Sequence, residues 1–302
     1  MTSKRAFVPV VLDTDGSVGS IDGERRLDLQ HRQKQLRLGC SKKAMESLAN
    51  DLDIVLAPPY DTVLMGSGDY HHLSALLVRR VQPTKPLRVI VLDNHPDNMR
   101  FLGHIHCGSW VTHAAALAHV AHIDVVGITS EDIGWHHAWE NRLAGLRSGR
   151  IRYWSVGVDT RWARWFGVAH AMRSFADMPT LLAALLADLR QCDLPVYMSI
   201  DKDVFAPDVV RTNWDQGIMR PAQARAIIEA CAGRIMASDI TGEVSSYTYT
   251  TGWKRWVSAM DGQDTCLSNQ RLAAWRGAQH RLNLALLRQL AASSLRTGRR
   301  AA

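Results

Sequence analysis

Cysteine is scarce, and nothing in its spacing pairs it. The five residues Cys40, Cys107, Cys192, Cys231 and Cys266 are scattered, odd in number and form no C-x-x-C. That argues for reduced thiols and against a disulfide framework or a zinc ribbon. Long apolar runs are missing too: none reaches the ~18 residues that a membrane span needs. The opening stretch MTSKRAFVPVVLDTDG has too short an apolar run for a signal peptide and no cleavage-site pattern. A cytoplasmic protein with no membrane partner is the expectation. There is no lysine-rich block, RNA-binding signature, internal repeat or low-complexity segment. The net charge of +7 raises nucleic acid as a partner, but Arg281, Arg288, Arg296, Arg299 and Arg300 sit in a C-terminal segment without an acid. A solvated basic face and tail is the favoured reading, and no nucleic-acid partner is expected.

What is present suits one globular unit. The 302 residues are 46% hydrophobic and 22% charged, which is ordinary for a chain that buries a sizeable core. A single domain over 1–302 is expected, with a flexible basic tail at about 293–302. Apolar runs recur as VPVVLD, VLMGSGD, VIVLD, IDVVGI, IRYWSVGV, VYMSID and IMASDI. Runs this apolar on both faces suit a parallel sheet covered by helices. Helical patterns lie between them: HHLSALLVRRV, SWVTHAAALAHV, MPTLLAALLADLR and PAQARAIIEAC, where Pro221 suits a first turn. A last helix is expected over Ser268–Ala292, and Ser17–Leu48 reads as a polar, then helical, excursion. The alternation predicts an α/β domain.

Polar residues gather where the strands should end. VLMGSG leads to Asp69, Tyr70, His71 and His72; VIVL leads to Asp93, His95 and Asp97; VYMSI leads to Asp201, Lys202 and Asp203; IMASDIT leads to Glu243. Ligands of open parallel sheets bind at the carboxyl ends of strands. On a strand Asp201 and Asp203 would share a face, roughly 6–7 Å apart, with Lys202 opposite. Asp93, His95 and Asp97 converge only if the chain curls, and Pro96 favours a turn there. Converging carboxylates repel by about 4 kcal/mol for one pair at ~4 Å and a dielectric near 20. Either some are protonated or a cation sits among them. Carboxylate and imidazole together suit manganese, with iron, nickel or zinc as alternatives, and the ligand count suits two ions.

GSGDYHH, DNHPD, HCGSW, SIDKDVFAP and GEVSS, in that order, resemble the ureohydrolase family of arginase, agmatinase, formimidoylglutamase and guanidino-acid hydrolases. The similarity runs from about Val63 to Ser246, and TNWDQGIMRPAQA is similar to the family's Gly-rich stretch. The resemblance implies a three-layer fold with a mainly parallel eight-stranded sheet, helices on both faces, and two divalent metals. It implies Asp93 and Asp201 as bridges, His95 and Asp203 on one metal, and Asp97 and His71 on the other, with His72 as the alternative. His106 would move protons, Glu243 would fix a guanidinium, and Asp97 joins these two as a catalytic candidate. The chain departs from the family pattern at Tyr70, Asn94, Cys107 and Lys202, at a one-residue shift of Glu243, and at EVSS, which lacks an Asn-Pro ending.

The function so implied is hydrolysis of a C–N bond in a guanidino, amidino or formimidoyl compound by metal-bound hydroxide. The alternatives are an amide deacetylase of the same fold and a non-catalytic metal-dependent binding protein. The expected partner is a small-molecule substrate, with a homo-oligomer left open. Most of the ten tryptophans read as core or oligomer contacts, Trp110 as a cavity wall, and His136 and His137 as loop residues.

Overall fold

A computed structural model describes residues 7–56, 60–101, 103–260, 262–263 and 267–294. The strands are β1 (Val10–Asp13), β2 (Arg25–Asp28), β3 (Gly39–Ser41), β4 (Thr62–Leu64), β5 (Leu87–Leu92), β6 (His104–His106), β7 (Val120–Ile128), β8 (Ile151–Val156), β9 (Met172–Phe175), β10 (Val196–Asp201) and β11 (Ile235–Thr241). The helices are α1 (Gln33–Leu36), α2 (Lys42–Val55), α3 (Ser74–Arg80), α4 (Trp110–Ala115), α5 (Leu143–Arg147), α6 (Met178–Arg190), α7 (Pro221–Ala230), α8 (Gly252–Met260) and α9 (Asn269–Ser293). Nine strands form one sheet in the order β2-β1-β4-β11-β10-β5-β7-β8-β9, and every pairing in it is parallel. β3 and β6 make a separate antiparallel pair.

The central strands are buried on both faces, and their alternation divides two cores. Leu87, Val89 and Val91 of β5 join one core with α2, α3 and α4; Ile90 and Leu92 join the other with α6, α7 and α9. β10 repeats this with Tyr197 on the first side and Val196, Met198 and Ile200 on the second. A period of two on a sheet with both faces covered gives three layers. The second-side helices carry their own signals. Met178, Leu181, Leu185 and Leu189 make one stripe of α6, whose Asp177 side chain accepts from Thr180 N–H. Pro221 opens α7, and Ser268 caps α9.

One finding differs from the expectation. The sheet has nine strands among the described residues where eight were expected. RRLD and MRSF form the edges, and such short polar segments carry little apolar signal. Ser293 closes α9 and Ser294 bridges to Ile235; the rest of the expected tail, 295–302, and Cys266 lie outside the described residues. No helix of the described residues is long and apolar enough to cross a membrane.

Candidate metal centre and cavity

β4, β11, β10 and β5 are neighbours in the sheet, so the segments beyond their carboxyl ends meet at one place. A 3-10 turn after β4, Gly68–Leu73, carries His71. The segment after β5 carries Asp93, His95 and Asp97. Asp201 ends β10, and Asp203 follows in a 3-10 turn, Lys202–Val204, rather than on the strand itself. The expected curl is there: Asp97 has φ +47°, a left-handed backbone that bends the segment back.

Two groups result. His71 Nδ1 lies 2.9 Å from Asp97 Oδ2, 3.1 Å from Asp93 Oδ2 and 3.4 Å from Asp201 Oδ2. His95 Nδ1 lies 3.0 Å from Asp203 Oδ2 and 3.6 Å from Asp93 Oδ1. Within each of the sets His71–Asp93–Asp97 and Asp93–His95–Asp203 the ligand atoms lie within 4.8 Å of one another, and Asp93 belongs to both. The far nitrogen of His71 is engaged: Nε2 lies 2.9 Å from Ser199 Oγ, which donates to Asp239 Oδ1 at 2.7 Å. That arrangement puts the ring proton on Nε2 and turns the Nδ1 lone pair to the carboxylates.

The electrostatics show the strain of this gathering. Burial, then the charge of Asp93, pushes Asp97 up to about 7, and the same two causes push Asp203 up to about 7. Burial, then Asp203, raises Asp201 well above the carboxylate range. Burial opposes ionisation of Asp93 too, but the neighbouring imidazoles of His71 and His95 hold it below the usual carboxylate range. Asp93 Oδ2 is buried without an aligned hydrogen bond although His71 Nδ1 is 3.1 Å away. Two ligand atoms facing each other without a proton aligned between them fit a shared cation. The donor set of oxygen and imidazole nitrogen, with no thiolate, fits divalent manganese and its neighbours.

The groups floor a cavity of about 530 Å³ whose lining includes His106, Met99, Thr129, Glu131, Asp132, His137, Trp214 and Asp215. His106 is pinned by the β3–β6 pair, opposite Gly39, where a Cβ would stand 2.6 Å from His106 Cβ. Its Nδ1 accepts Gly108 N–H at 3.1 Å, so the neutral ring carries its proton on Nε2, which is buried without a partner. Burial, then His113, lowers His106 to about 4. A neutral donor at the cavity follows.

Other residues fall elsewhere. Glu243 does not line the cavity; its Oε1 accepts from Lys202 Nζ at 2.5 Å and from Asn283 Nδ2 at 2.5 Å. Lys202 does face away from its two neighbours, but into the core and not onto the surface. His72 is outside the cluster, with both ring nitrogens buried and unpartnered. Trp110 is fully buried instead of forming a cavity wall: it packs on His71 at 4.9 Å and donates to Asp97 Oδ2 at 2.7 Å. Trp214 and Asp215 line the cavity without having been singled out, and the stretch TNWDQG was the available signal; His137, read as a loop residue, lines it too.

Comparison with known proteins agrees with this architecture. An uncharacterized protein of Thermotoga maritima is 24% identical over 194 residues, 64% of this chain and 62% of that relative. Proclavaminate amidino hydrolase from Streptomyces clavuligerus shares the fold at a TM-score of 0.52 and 18% identity, over 96% of this chain and 93% of the other. A single-residue variant of formiminoglutamase from Trypanosoma cruzi, with manganese, does so at 0.50 and 13%, over 94% and 96%. The family model described as the arginase family matches residues 27–247, a span that holds every ligand of both candidate groups. The chain belongs to the arginase family.

Proposed function

We propose that the protein is a hydrolase that holds two divalent cations, manganese foremost, and cleaves a C–N bond of a guanidino, amidino or formimidoyl compound. The observation that carries this is the pair of ligand groups sharing Asp93 at the floor of a cavity, with the unpartnered Nε2 of His106 beside them. The amidino hydrolase and the formiminoglutamase, the latter with manganese, act in the same class and support this reading. Two such cations would lower the pKa of the attacking water to roughly 7 and stabilise charge on the substrate. In this reading His71, Asp97 and Asp201 would hold one cation, His95 and Asp203 the other, and Asp93 both; Asp201, expected as a second bridge, is set beside His71 because its Oδ2 lies 3.4 Å from Nδ1. His106 would donate a hydrogen bond from Nε2–H to charge developing on the substrate, and would pass a proton on only after taking one from water.

A second reading, hydrolysis of an amide, is favoured by one observation. Glu243 is committed to Lys202 and Asn283, while outside the ligand groups two unpaired polar atoms at the cavity, His106 Nε2 and Trp214 Nε1, are N–H donors. Donors suit a carbonyl oxygen; a guanidinium needs acceptors.

Manganese-loaded protein offered guanidino, amidino, formimidoyl and N-acetyl compounds separates these readings. Release of urea, ammonia or formamide supports the first, and release of acetate the second. Two bound metals with no turnover on any of them would leave a metal-dependent binding protein. No metal uptake would remove all three.

A further inference from the structure

Asp215 belongs to neither ligand group, yet both of its carboxylate oxygens are engaged there. Oδ1 lies 2.6 Å from His95 Nε2, and Oδ2 accepts from Asn94 Nδ2 at 2.9 Å. Asn94 is held in turn, since its Oδ1 accepts Thr129 N–H at 3.1 Å and Thr129 Oγ1–H at 2.6 Å. Three segments that are distant in sequence, those after β5, β7 and β10, thus close on two side chains beside the cavity.

A histidine can offer a lone pair from only one ring nitrogen, and the hydrogen bond made by the other decides which. His71 settles this with Ser199 and Asp239, both fully buried. His95 has no such support from the core. We propose that Asp215 is a positioning residue: by accepting the Nε2–H of His95 it fixes the tautomer and ring orientation that leave Nδ1 to a divalent cation shared with Asp93 and Asp203, and Asn94 holds Asp215 in place. This rests on the two-metal reading above.

A bland surface ion pair explains the geometry less well. The Asp215 side chain is 62% exposed, and an exposed pair alone gains little from a fixed geometry. Here the second oxygen is taken by a buried asparagine, Asn94, whose own Oδ1 accepts two hydrogen bonds from Thr129. Such a chain holds the carboxylate to one position. The arrangement also couples two of this chain's own features, Asn94 within DNHPD and Asp215 within TNWDQG.

Partners of this kind change metal affinity by roughly 10- to 100-fold, and the exposure of Asp215 points to the lower end. The test is calorimetric titration of metal-free protein with Mn²⁺, with thermal unfolding of the metal-free forms alongside. Wild type should bind two equivalents. Asp215→Ala should weaken one of them about 10-fold, leave the other unchanged, and unfold at the wild-type temperature. Asp215→Asn keeps an acceptor at the same place and should restore part of the lost affinity; a loop that merely needed filling would be served by either variant in the same way. Asn94→Ala should weaken the same equivalent by less. Two wild-type affinities in Asp215→Ala, or equal weakening of both equivalents, would overturn the role of Asp215 while leaving the metal centre standing. A wild-type protein that binds no Mn²⁺ would overturn the metal centre, and this role with it.

Discussion

Lys202 Nζ lies 2.5 Å from Glu243 Oε1, and Asn283 closes the group by accepting from the lysine at 3.0 Å and donating to the glutamate at 2.5 Å. All three side chains are buried on the far side of the β10 end from Asp201 and Asp203. Gly242, at φ +87°, makes the approach feasible: a Cβ there would stand 2.4 Å from Asp201 Oδ1.

Breaking this pair therefore tests stability and not metal binding. Lys202→Met leaves a buried carboxylate with only Asn283 and should cost about 3–5 kcal/mol. Adding Glu243→Leu should recover much of that, because the unpaired charge is gone. Urea unfolding reads both effects. Bound manganese, measured after dialysis, should stay at the wild-type stoichiometry in both variants. A loss of metal in Lys202→Met would show that the ligand set depends on this side of the strand.

Asp93 is common to both ligand groups, whereas Asp97 and Asp203 belong to one each. Asp93→Ala should lose both metal equivalents, while Asp97→Ala and Asp203→Ala should each lose one. Asp201→Ala should weaken the His71 equivalent, given its 3.4 Å approach to Nδ1. Elemental analysis of dialysed protein checks the set. Two retained equivalents in Asp93→Ala would remove the shared ligand from the scheme.

His71 and His72 should separate cleanly. His71→Ala removes a ligand, and His72→Leu removes none. In His72 both ring nitrogens are buried and unpartnered, so an apolar replacement should be neutral or stabilising by about 1–2 kcal/mol at neutral pH. Burial, then Lys254, lowers His72 from an ordinary 6.5 to about 3. The unfolded chain therefore takes up this proton first as pH falls. His72 subtracts nothing above pH 6.5 and subtracts progressively more between 6.5 and 3. At pH 5 the subtraction is about 2 kcal/mol. Denaturant unfolding of metal-free wild type and His72→Leu at pH 7.5 and pH 5 should show the variant's advantage growing by that amount. An advantage that stays constant would mean that His72 titrates normally in the folded protein.

The sequence is legible wherever the physics that shapes the chain acts locally. The strands β5 and β10 are mainly apolar on both faces because both faces are covered, and Pro221 and Ser268 mark helix starts through local backbone chemistry. Acids and imidazoles past the strand ends are legible from position, and the resemblance to the ureohydrolase family narrows them to six candidate ligands. The edges β2 and β9 escape notice because RRLD and MRSF have little to bury. The direction of Glu243 escapes for a different reason. Its partner Asn283 is 40 residues away, and nothing near Glu243 reports the turn at Gly242. Asp215 meets His95 across 120 residues, so its part in the site appears only once the fold has brought the two together. The choice between His71 and His72 likewise depends on Ser199, 128 residues further on.

His106 is the sharpest test of mechanism, because its two nitrogens have different fates. Nδ1 accepts from Gly108 N–H at 3.1 Å, and Nε2 is buried with no partner although the residue lines the cavity. No carboxylate of the ligand groups is paired with it, so it should not govern metal affinity. With its value lowered to about 4 by burial, then His113, the ring is neutral through the physiological range and offers Nε2–H as a donor. Such a donor stabilises developing charge by a hydrogen bond and relays a proton once it has taken one from water, and a group in that place typically contributes 10²–10⁴-fold to rate. His106→Asn should therefore keep two manganese equivalents, keep the free energy of unfolding within about 1 kcal/mol, and lower turnover by about that factor on whichever substrate the panel identifies. Added imidazole should restore part of the rate, since the cavity is roomy enough to admit it at about 530 Å³. A metal equivalent lost in His106→Asn would make the histidine a ligand. Full turnover with both metals bound would show that another group moves the proton, and His137, which also lines the cavity and pairs with Glu140 at 3.0 Å, would be the next to replace.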